Sequence, residues 1–324
     1  MSYYEFPNAT CRPPITGFEG YLPPLEIPFY FSSRERLIGD IPDATLALVA
    51  PVIAFWVYSI AFDLLDHSGW KWLDPYRIHE PDEIKSRNLV SRSEVIIAVI
   101  SQQVMQSAVG FILLEDVPGI SLAHCQRELK AIESTLVGLV QQNFIPRLLV
   151  SILAFHKGET AYWLYWWIIP VSRLIVALLI FDAWMYFGHR MMHLNKFLYK
   201  HIHSIHHRLY VPYAYGSVYN HPVEGFLLDV MGSFVASFVA RLTPRESVLF
   251  FTFSILKGVH QHSGYQFIYD PIRWFSNNDA EYHDIHHQAI GMKYNFAQPF
   301  FVHWDVIMGT RLTKKDIKRK QKVQ

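Results

Sequence analysis

The chain of 324 residues carries 29 Lys and Arg against 28 Asp and Glu, a formal charge of +1, and 51% of its residues are hydrophobic. This balance excludes the strongly basic surface that a nucleic-acid partner requires, and its two cysteines, Cys11 and Cys125, are too few for a disulfide framework or a thiolate metal site. A mean hydropathy of +0.12, combined with long uncharged runs, argues against an ordinary soluble enzyme and indicates a membrane protein.

Residues 1–43 mix proline, aromatic and charged residues, and we interpret them as an irregular lead-in. The stretch MSYYEFPNATCRPP has no basic segment followed by an apolar core, so it does not predict a signal peptide. Membrane insertion is therefore expected to depend on internal segments. Asn8 begins an Asn-Ala-Thr sequon, which is a candidate glycosylation site if this end of the chain faces the lumen.

Three apolar segments predict membrane spans. Residues 44–62 and 95–114 are uncharged and each about 20 residues long, which is enough to cross a hydrocarbon core of about 30 Å. Residues 162–188 predict a third span, and its tryptophans predict an aromatic belt at one interface. Residues 137–155 contain several polar residues and a proline, so we expect an interfacial or re-entrant piece.

Two shorter apolar segments, 225–240 and 248–256, flank the polar turn 241–246. They predict either a hairpin that enters one leaflet or a broken pair of spans. The whole pattern therefore predicts an all-α integral membrane protein with about three to four spans, a membrane hairpin and a cytosolic His-rich helical cap.

The predicted divisions of the chain follow these segments. After the lead-in, residues 44–159 would form transmembrane and interfacial helices, residues 160–312 would carry the histidine clusters, and residues 313–324 would form a basic tail. Lys320 and Lys322 near the end resemble the dilysine retrieval signal of endoplasmic reticulum membrane proteins, although a solvated basic tail is the alternative. The signal is read in the cytosol, so we expect the C-terminus and the histidine clusters on that side.

Most of the 17 histidines lie between residues 189 and 303. Three clusters, here called boxes 1, 2 and 3, have the patterns HxxxH, HxxHH and HxxHH. Residues three or four apart share one face of a helix, so each box can direct its imidazoles at one point. The boxes consist of His189 and His193; His203, His206 and His207; and His283, His286 and His287.

Eight neutral imidazoles are ligands for metals such as iron, copper or zinc, and they exceed the four ligands that a tetrahedral zinc ion uses. The sequence therefore predicts a dimetal site in the helical cap. His221 and His262 are candidate additional ligands, and His260 is an alternative to His262. Asp182 lies two helical turns before His189, on the same face, and we expect it to form a hydrogen bond with a ligand histidine.

Other polar residues near the boxes receive less specific interpretations. His303 and the isolated His79 are predicted to be packing residues, and a solvent-facing position is as good an interpretation of Asp284 as a functional one. We expect no catalytic residue beyond the metal ligands.

Two redox metals in a membrane domain predict activation of O2 and oxidation of a lipid chain that enters from the bilayer.

The three boxes resemble those of the membrane fatty acid hydroxylase superfamily, over about residues 160–312. The stretches FGHRMMHLNKFLYKHIHSIHHRLYVPYAYGSVYNHPVEGFLLD and AEYHDIHHQAIGMKYNFAQPFFVHWDVIMGT are most similar to its fungal sphinganine 4-hydroxylase branch. The resemblance implies a diiron centre held by the eight box histidines, with His221 and His262 as additions. It implies hydroxylation of sphinganine or dihydroceramide at carbon 4 in the endoplasmic reticulum membrane.

The same resemblance implies O2 as oxidant and electrons from NAD(P)H through cytochrome b5. The sequence contains no His-Pro-Gly-Gly motif of a fused cytochrome b5 domain. We therefore expect a separate cytochrome b5, with its reductase, as the partner on the cytosolic face.

Three alternatives remain open at this point. Another lipid oxidase of the superfamily, such as a sterol methyl oxidase, a sterol desaturase or a fatty acyl 2-hydroxylase, would carry the same boxes. A His-rich metal transporter would need histidines inside several spans, and segments 44–62 and 95–114 have none. A zinc hydrolase would show a Glu or Asp general base within its metal motif, as in HExxH, and none of the boxes has the HExxH pattern.

Overall fold

The computed structural model describes residues 26–117, 119–141 and 157–323. Within these ranges the regular structure is helical, with two isolated β-bridges and no strand, so the all-α prediction is confirmed. Asn8 and most of the predicted interfacial segment 137–155 lie outside the described residues.

The chain forms two compact units. The first comprises residues 1–34 and 120–161, and its described part contains helix α4 (Leu122–Gln141). The second comprises residues 35–119 and 162–324 and contains every predicted metal ligand. Helix α5 (Lys157–Trp163) is followed directly by a five-residue π-helix, Leu164–Ile168.

The second unit contains the remaining helices. In chain order these are α1 (Asp43–His67), α2 (Pro81–Arg87), α3 (Arg92–Leu113), α6 (Ile169–Leu194), α7 (Lys196–His201), α8 (Pro222–Glu224), α9 (Met231–Ala240), α10 (Pro244–Gln261), α11 (Pro271–Phe275), α12 (Ala280–His287), α13 (His303–Ile307) and α14 (Lys314–Val323). Short 3₁₀ and π segments join several of them, including His203–Arg208 and Gly225–Val230.

Four helical segments are long and apolar enough to cross a membrane, which confirms the predicted number of spans: Asp43–His67, Arg92–Leu113, Gly158–Leu194 and Pro222–Ala240. In the first three, only 17–22% of the most apolar window is buried within the protein. In α1, the exposed residues Val49, Ile53, Val57, Ile60 and Leu64 recur every three or four positions and form one apolar stripe. Such a stripe fits contact with lipid chains.

The predicted hairpin consists of α9 and α10. Its first arm belongs to a candidate span, and its second arm is longer than residues 248–256 predicted. Arg241 ends α9 in the left-handed conformation, at φ 55°. Thr243 and Glu246 then form a capping box that starts α10, and each side chain satisfies a backbone N–H group of the other residue.

Two hydrophobic clusters support the histidine boxes. One joins α1, α3 and the tyrosine-rich stretch 213–219 to Val259 of α10. The other packs α6 against α9 and α10, with Phe181, Phe250 and Phe300 near its centre. Together they hold the ends of α6 and α10, which carry histidine ligands, beside the polar cap.

A buried ion pair links α1 to α10. Asp43, 2% exposed, accepts hydrogen bonds from Arg245 Nε at 2.6 Å and from the Leu37 backbone N–H at 2.9 Å. Asp43→Ala is expected to lower the free energy of unfolding by about 1–3 kcal/mol, because the Arg245 guanidinium and the Leu37 N–H lose a buried, charged acceptor. Denaturant titration in detergent micelles measures the loss. The exposed Asp40→Ala is the control, and equal stability of the two variants would contradict the assignment.

Candidate metal centre

The three boxes lie on different kinds of local structure. Box 1 occupies the last turns of α6, and box 3 lies on α12, whose N-terminus is capped by Asp279 accepting from the Tyr282 N–H. Box 2 lies on a 3₁₀-helix, His203–Arg208, rather than on the α-helix that its spacing predicted. In a 3₁₀-helix residues i and i+3 eclipse each other, and the rings of His203 and His206 are indeed nearly parallel.

Nine of the ten predicted histidine ligands converge in two groups, each with ligand atoms within 4.8 Å of one another. Boxes 2 and 3 are both divided between the groups, because neighbouring histidines on each short helix point in different directions. Group A contains His189, His193, His203, His207 and His286. Group B contains His206, His262, His283 and His287.

The imidazole Nε2 atoms of each group face one another at short range. In group A, the distance from His203 to His193 is 2.8 Å, and the distance from His207 to His193 is 3.1 Å. In group B, His283 lies 3.0 Å from both His262 and His287. Two nitrogen ligands at right angles around an ion, each bound at about 2.1 Å, would stand about 3.0 Å apart. Both groups therefore fit a bound metal ion.

The histidines have the protonation state that metal binding requires. All nine are at least mostly buried, and burial disfavours the charged imidazolium form. Desolvation lowers the pKa of His203 and of His262 to about 3, and that of His206 to about 4. Neutral imidazoles at neutral pH leave lone pairs free for metal ions.

Backbone carbonyl groups fix the tautomer of four ligands. In each case Nδ1–H donates to a carbonyl oxygen at 2.7–3.0 Å, which leaves the Nε2 lone pair directed at the group. The pairs are His189 with Phe296, His206 with Tyr219, His262 with Gly258, and His286 with Tyr294.

A carboxylate that the sequence analysis missed orients a fifth ligand. Glu224 Oε1 lies 2.6 Å from His203 Nδ1, and Glu224 is only 4% exposed. The sequence feature that could have identified Glu224 is its place immediately before the apolar segment 225–240, where a charge is costly unless it has a partner. A carboxylate–histidine pair of this kind raises the basicity of the ligand.

Asp182 does not contact a box histidine as predicted. Its Oδ1 accepts from the backbone N–H groups of Phe300 and Phe301, at 2.9 and 3.1 Å, and Oδ2 lies 3.7 Å from His303 Nδ1. The reason is that the loop after Gln298 lies next to Asp182, and its backbone N–H groups satisfy the carboxylate. Asp182 therefore holds the loop whose Phe296 carbonyl accepts from His189.

A second buried carboxylate holds the same loop at its other end. Asp305 accepts from the backbone N–H groups of Phe296 and Ala297, at 3.0 and 2.8 Å, and from the Tyr282 hydroxyl at 2.8 Å. Because the Phe296 carbonyl accepts from His189, Asp305 fixes the acceptor that orients this ligand.

His221 and His260 lie outside both groups. His221 Nδ1 accepts from the Val223 N–H and caps the short helix α8, so its position in Asn-His-Pro is explained by capping. His260 lies 2.9 Å from Asp270 Oδ2 and lines a separate apolar pocket beside α1. Of the two alternatives at this site, the structure thus brings His262 to the metal ligands.

His79 and Asp284 are neither isolated nor solvent-facing. Asp284 Oδ1 lies 2.7 Å from His79 Nε2, and both residues are largely buried. The hydrogen bond with Asp284 raises the pKa of His79. This contact ties the loop before α2 to α12, which carries box 3.

Comparison with known proteins identifies the family. Residues 174–310 match the fatty acid hydroxylase family. The sphingolipid C4-hydroxylase SUR2 of Saccharomyces cerevisiae is 40% identical over 86% of this chain and 74% of its own length. The chain belongs to the fatty acid hydroxylase family. It is accordingly an oxidoreductase.

Two plant relatives of this hydroxylase carry different names. Sphinganine C4-monooxygenase 2 of Arabidopsis thaliana is 40% identical over 84% of this chain and 89% of its own length. The very-long-chain aldehyde decarbonylase GL1-9 of Oryza sativa subsp. indica is 38% identical over 87% of this chain and 94% of its own length. No solved structure matches the chain significantly.

Each histidine group is expected to hold one ion. The double variants His193→Ala/His207→Ala and His283→Ala/His287→Ala should each lower bound metal from about two ions to about one, because a group with half or nearly half of its ligands removed cannot complete a coordination shell. Elemental analysis of purified protein measures the ratio. His201→Ala, an exposed histidine outside both groups, is the control. Two ions retained in either double variant would contradict the division.

Glu224→Gln is expected to weaken metal binding about 10- to 100-fold, the usual effect of losing a carboxylate that orients a ligand. Metal release to a chelator, followed over time, measures this without any activity assay. The exposed Glu115→Gln is the matched control. If Glu224→Gln released metal no faster than the control, Glu224 would have no role in holding His203.

Proposed function

We propose that this hydroxylase is a membrane diiron monooxygenase that adds a hydroxyl group to carbon 4 of sphinganine or dihydroceramide. The observation that carries the proposal is the pair of buried histidine groups, one of five and one of four ligands. Tetrahedral zinc uses at most four ligands, so group A is better suited to an ion of higher coordination number. The names of the yeast and Arabidopsis relatives supply the substrate class.

Groups A and B would hold one iron ion each. When bound, the two ions would supply the reduction of O2 and the removal of hydrogen from an unactivated C–H bond. The chain's own contribution is to hold the nine imidazoles neutral, with Nδ1 protons of four of them donated to carbonyl groups. The burial of the ligands also excludes bulk water from the reacting atoms.

The substrate is expected to arrive from the bilayer. A small pocket is lined by His189, His203 and His206 together with Met185 and Leu228. Met185 and Leu228 belong to the candidate spans Gly158–Leu194 and Pro222–Ala240 and to the apolar cluster around α6. An acyl chain lying along these spans can therefore bring one of its carbons to the ligands without crossing water.

The proposal places the enzyme in the endoplasmic reticulum membrane with its histidine boxes and C-terminus in the cytosol. Lys320 and Lys322, in the basic C-terminal segment, support this location as a dilysine signal. Electrons would come from NAD(P)H through a separate cytochrome b5 and its reductase, docked on the same face.

The rice relative's name makes aldehyde decarbonylation the second candidate. Another lipid oxidase, a metal transporter or a zinc hydrolase is less well supported. A metal transporter would need histidines inside several spans, and the spans Asp43–His67 and Arg92–Leu113 contribute none to either group.

The decisive experiment feeds labelled sphinganine, NADH and air to membranes that contain this protein and have no C4-hydroxylase of their own. We expect a product heavier by one oxygen atom, with the hydroxyl group at carbon 4, identified by mass spectrometry. His286→Ala should abolish the product while the protein remains inserted, because group A loses a ligand whose ring is fixed by the Tyr294 carbonyl. His201→Ala is the matched control.

A parallel reaction with a long-chain aldehyde separates the candidates. A hydrocarbon product from the aldehyde, with no C4-hydroxylated base from sphinganine, would replace the proposed function by decarbonylation. Full turnover by His286→Ala would remove this histidine from the site.

A further inference from the structure

A carboxylate interrupts the candidate span Pro222–Ala240. Asp229 lies in the middle of this apolar segment, and its carboxylate Oδ2 accepts a hydrogen bond from Asn220 Nδ2 at 3.3 Å. Among the ion pairs of the described residues, none includes Asp229. An ionisable residue within a span is costly and usually marks a functional site with a specific partner.

The Asp229 side chain lines the pocket that also contacts the metal ligands. Its polar lining includes Glu224, Asn220 and Ser217, and it meets the imidazoles of His203 and His206. Two of these polar atoms are buried without a hydrogen-bond partner in the described structure, Glu224 Oε2 and Ser217 Oγ. Unsatisfied buried acceptors next to a carboxylate indicate that a hydrogen-bond donor is missing from the pocket.

A local irregularity brings the two carboxylates to the same side. Residues Gly225–Val230 form a π-helix, in which hydrogen bonds join residues five apart. Glu224 and Asp229 are five positions apart, so the wider turn places both on the pocket. An ordinary α-helical turn would rotate Asp229 away from Glu224, because residues three and four apart share its face.

Apolar side chains also line the pocket. The Leu228 side chain packs against Gly188 of α6, where an added Cβ atom would clash with Leu228 Cδ2. Met185, one turn earlier on α6, completes this wall. The pocket is thus lined by acidic and polar groups, by predicted metal ligands and by apolar side chains of two candidate spans.

We propose that this acidic pocket binds the ammonium group of a free long-chain base, with Asp229 as its counter-ion and Glu224 Oε2 and Ser217 Oγ as further acceptors. The inference rests on the proposed function and assigns its substrate. In sphinganine the nitrogen is three bonds from carbon 4, roughly 4 Å at most. A group that binds the nitrogen must therefore lie beside the metal ligands, as this pocket does.

The size and charge of the pocket favour the free base over its N-acylated form. The cavity volume is about 30 Å³, which leaves room for about one or two groups the size of a water molecule. An ammonium group fits this space and satisfies several acceptors at once. An N-acyl amide carries no charge to pair with Asp229 and brings a second chain. The proposal therefore makes sphinganine the substrate and dihydroceramide a poor one.

The test compares sphinganine with a neutral analogue, N-acetylsphinganine, in the same membranes with NADH and air. The wild-type enzyme should convert sphinganine with a kcat/KM at least about tenfold higher. Asp229→Asn should raise the KM for sphinganine about 10- to 100-fold, the effect expected for a lost charge-assisted hydrogen bond. The KM for N-acetylsphinganine, which carries no charge to pair with Asp229, should rise less than the KM for sphinganine.

Glu115→Gln is the matched control, because it neutralises an exposed carboxylate outside the pocket. If Asp229→Asn raised the KM for both substrates equally, the amine site would be overturned. A wild-type preference for the N-acetylated compound would overturn it as well. Neither result would contradict C4 hydroxylation itself. The wild-type preference tests the proposal even if the variant does not fold. Absence of a C4-hydroxylated product from both compounds would instead overturn the proposed function.

Discussion

The structure depends on one constraint: nine imidazoles must be buried without charge, and a ring nitrogen that faces away from its group needs a hydrogen-bond acceptor. Backbone carbonyl groups meet this need for four of them and Glu224 for a fifth. Buried imidazoles without such partners would cost free energy, since each polar atom would lose its hydrogen bond to water. The fold around the boxes supplies acceptors at matched positions.

One loop provides two of these hydrogen-bond acceptors, and two buried carboxylates hold the loop in place. The stretch 294–301 provides carbonyl acceptors for His189 and His286, and its backbone N–H groups are held by Asp305 at one end and Asp182 at the other. Because both carboxylates are fully buried, the loop cannot shift without exposing unpaired charge. The ligand positions are thus fixed by contacts far from them in sequence.

The candidate membrane spans and the two histidine groups share helices. Helix α6 begins as part of a candidate span and ends in box 1, and the span that contains Asp229 starts beside Glu224. In the proposed enzyme, an acyl chain in the bilayer would therefore lie along helices that also carry predicted histidine ligands. The proposed amine site follows from this arrangement, since it joins a carboxylate at membrane depth to the ligand cluster.

The sequence by itself determined the helical membrane class, the spans and the candidate ligands, because apolar length and HxxH spacing are local properties. It could not determine how boxes 2 and 3 divide between two groups, because that depends on a 3₁₀-helix at His203 and on which neighbouring rings meet. Nor could it assign His221 to capping, Asp182 to a loop or Glu224 to His203. Only the tertiary structure decided these, because each is a hydrogen bond whose partner is set by packing rather than by sequence spacing.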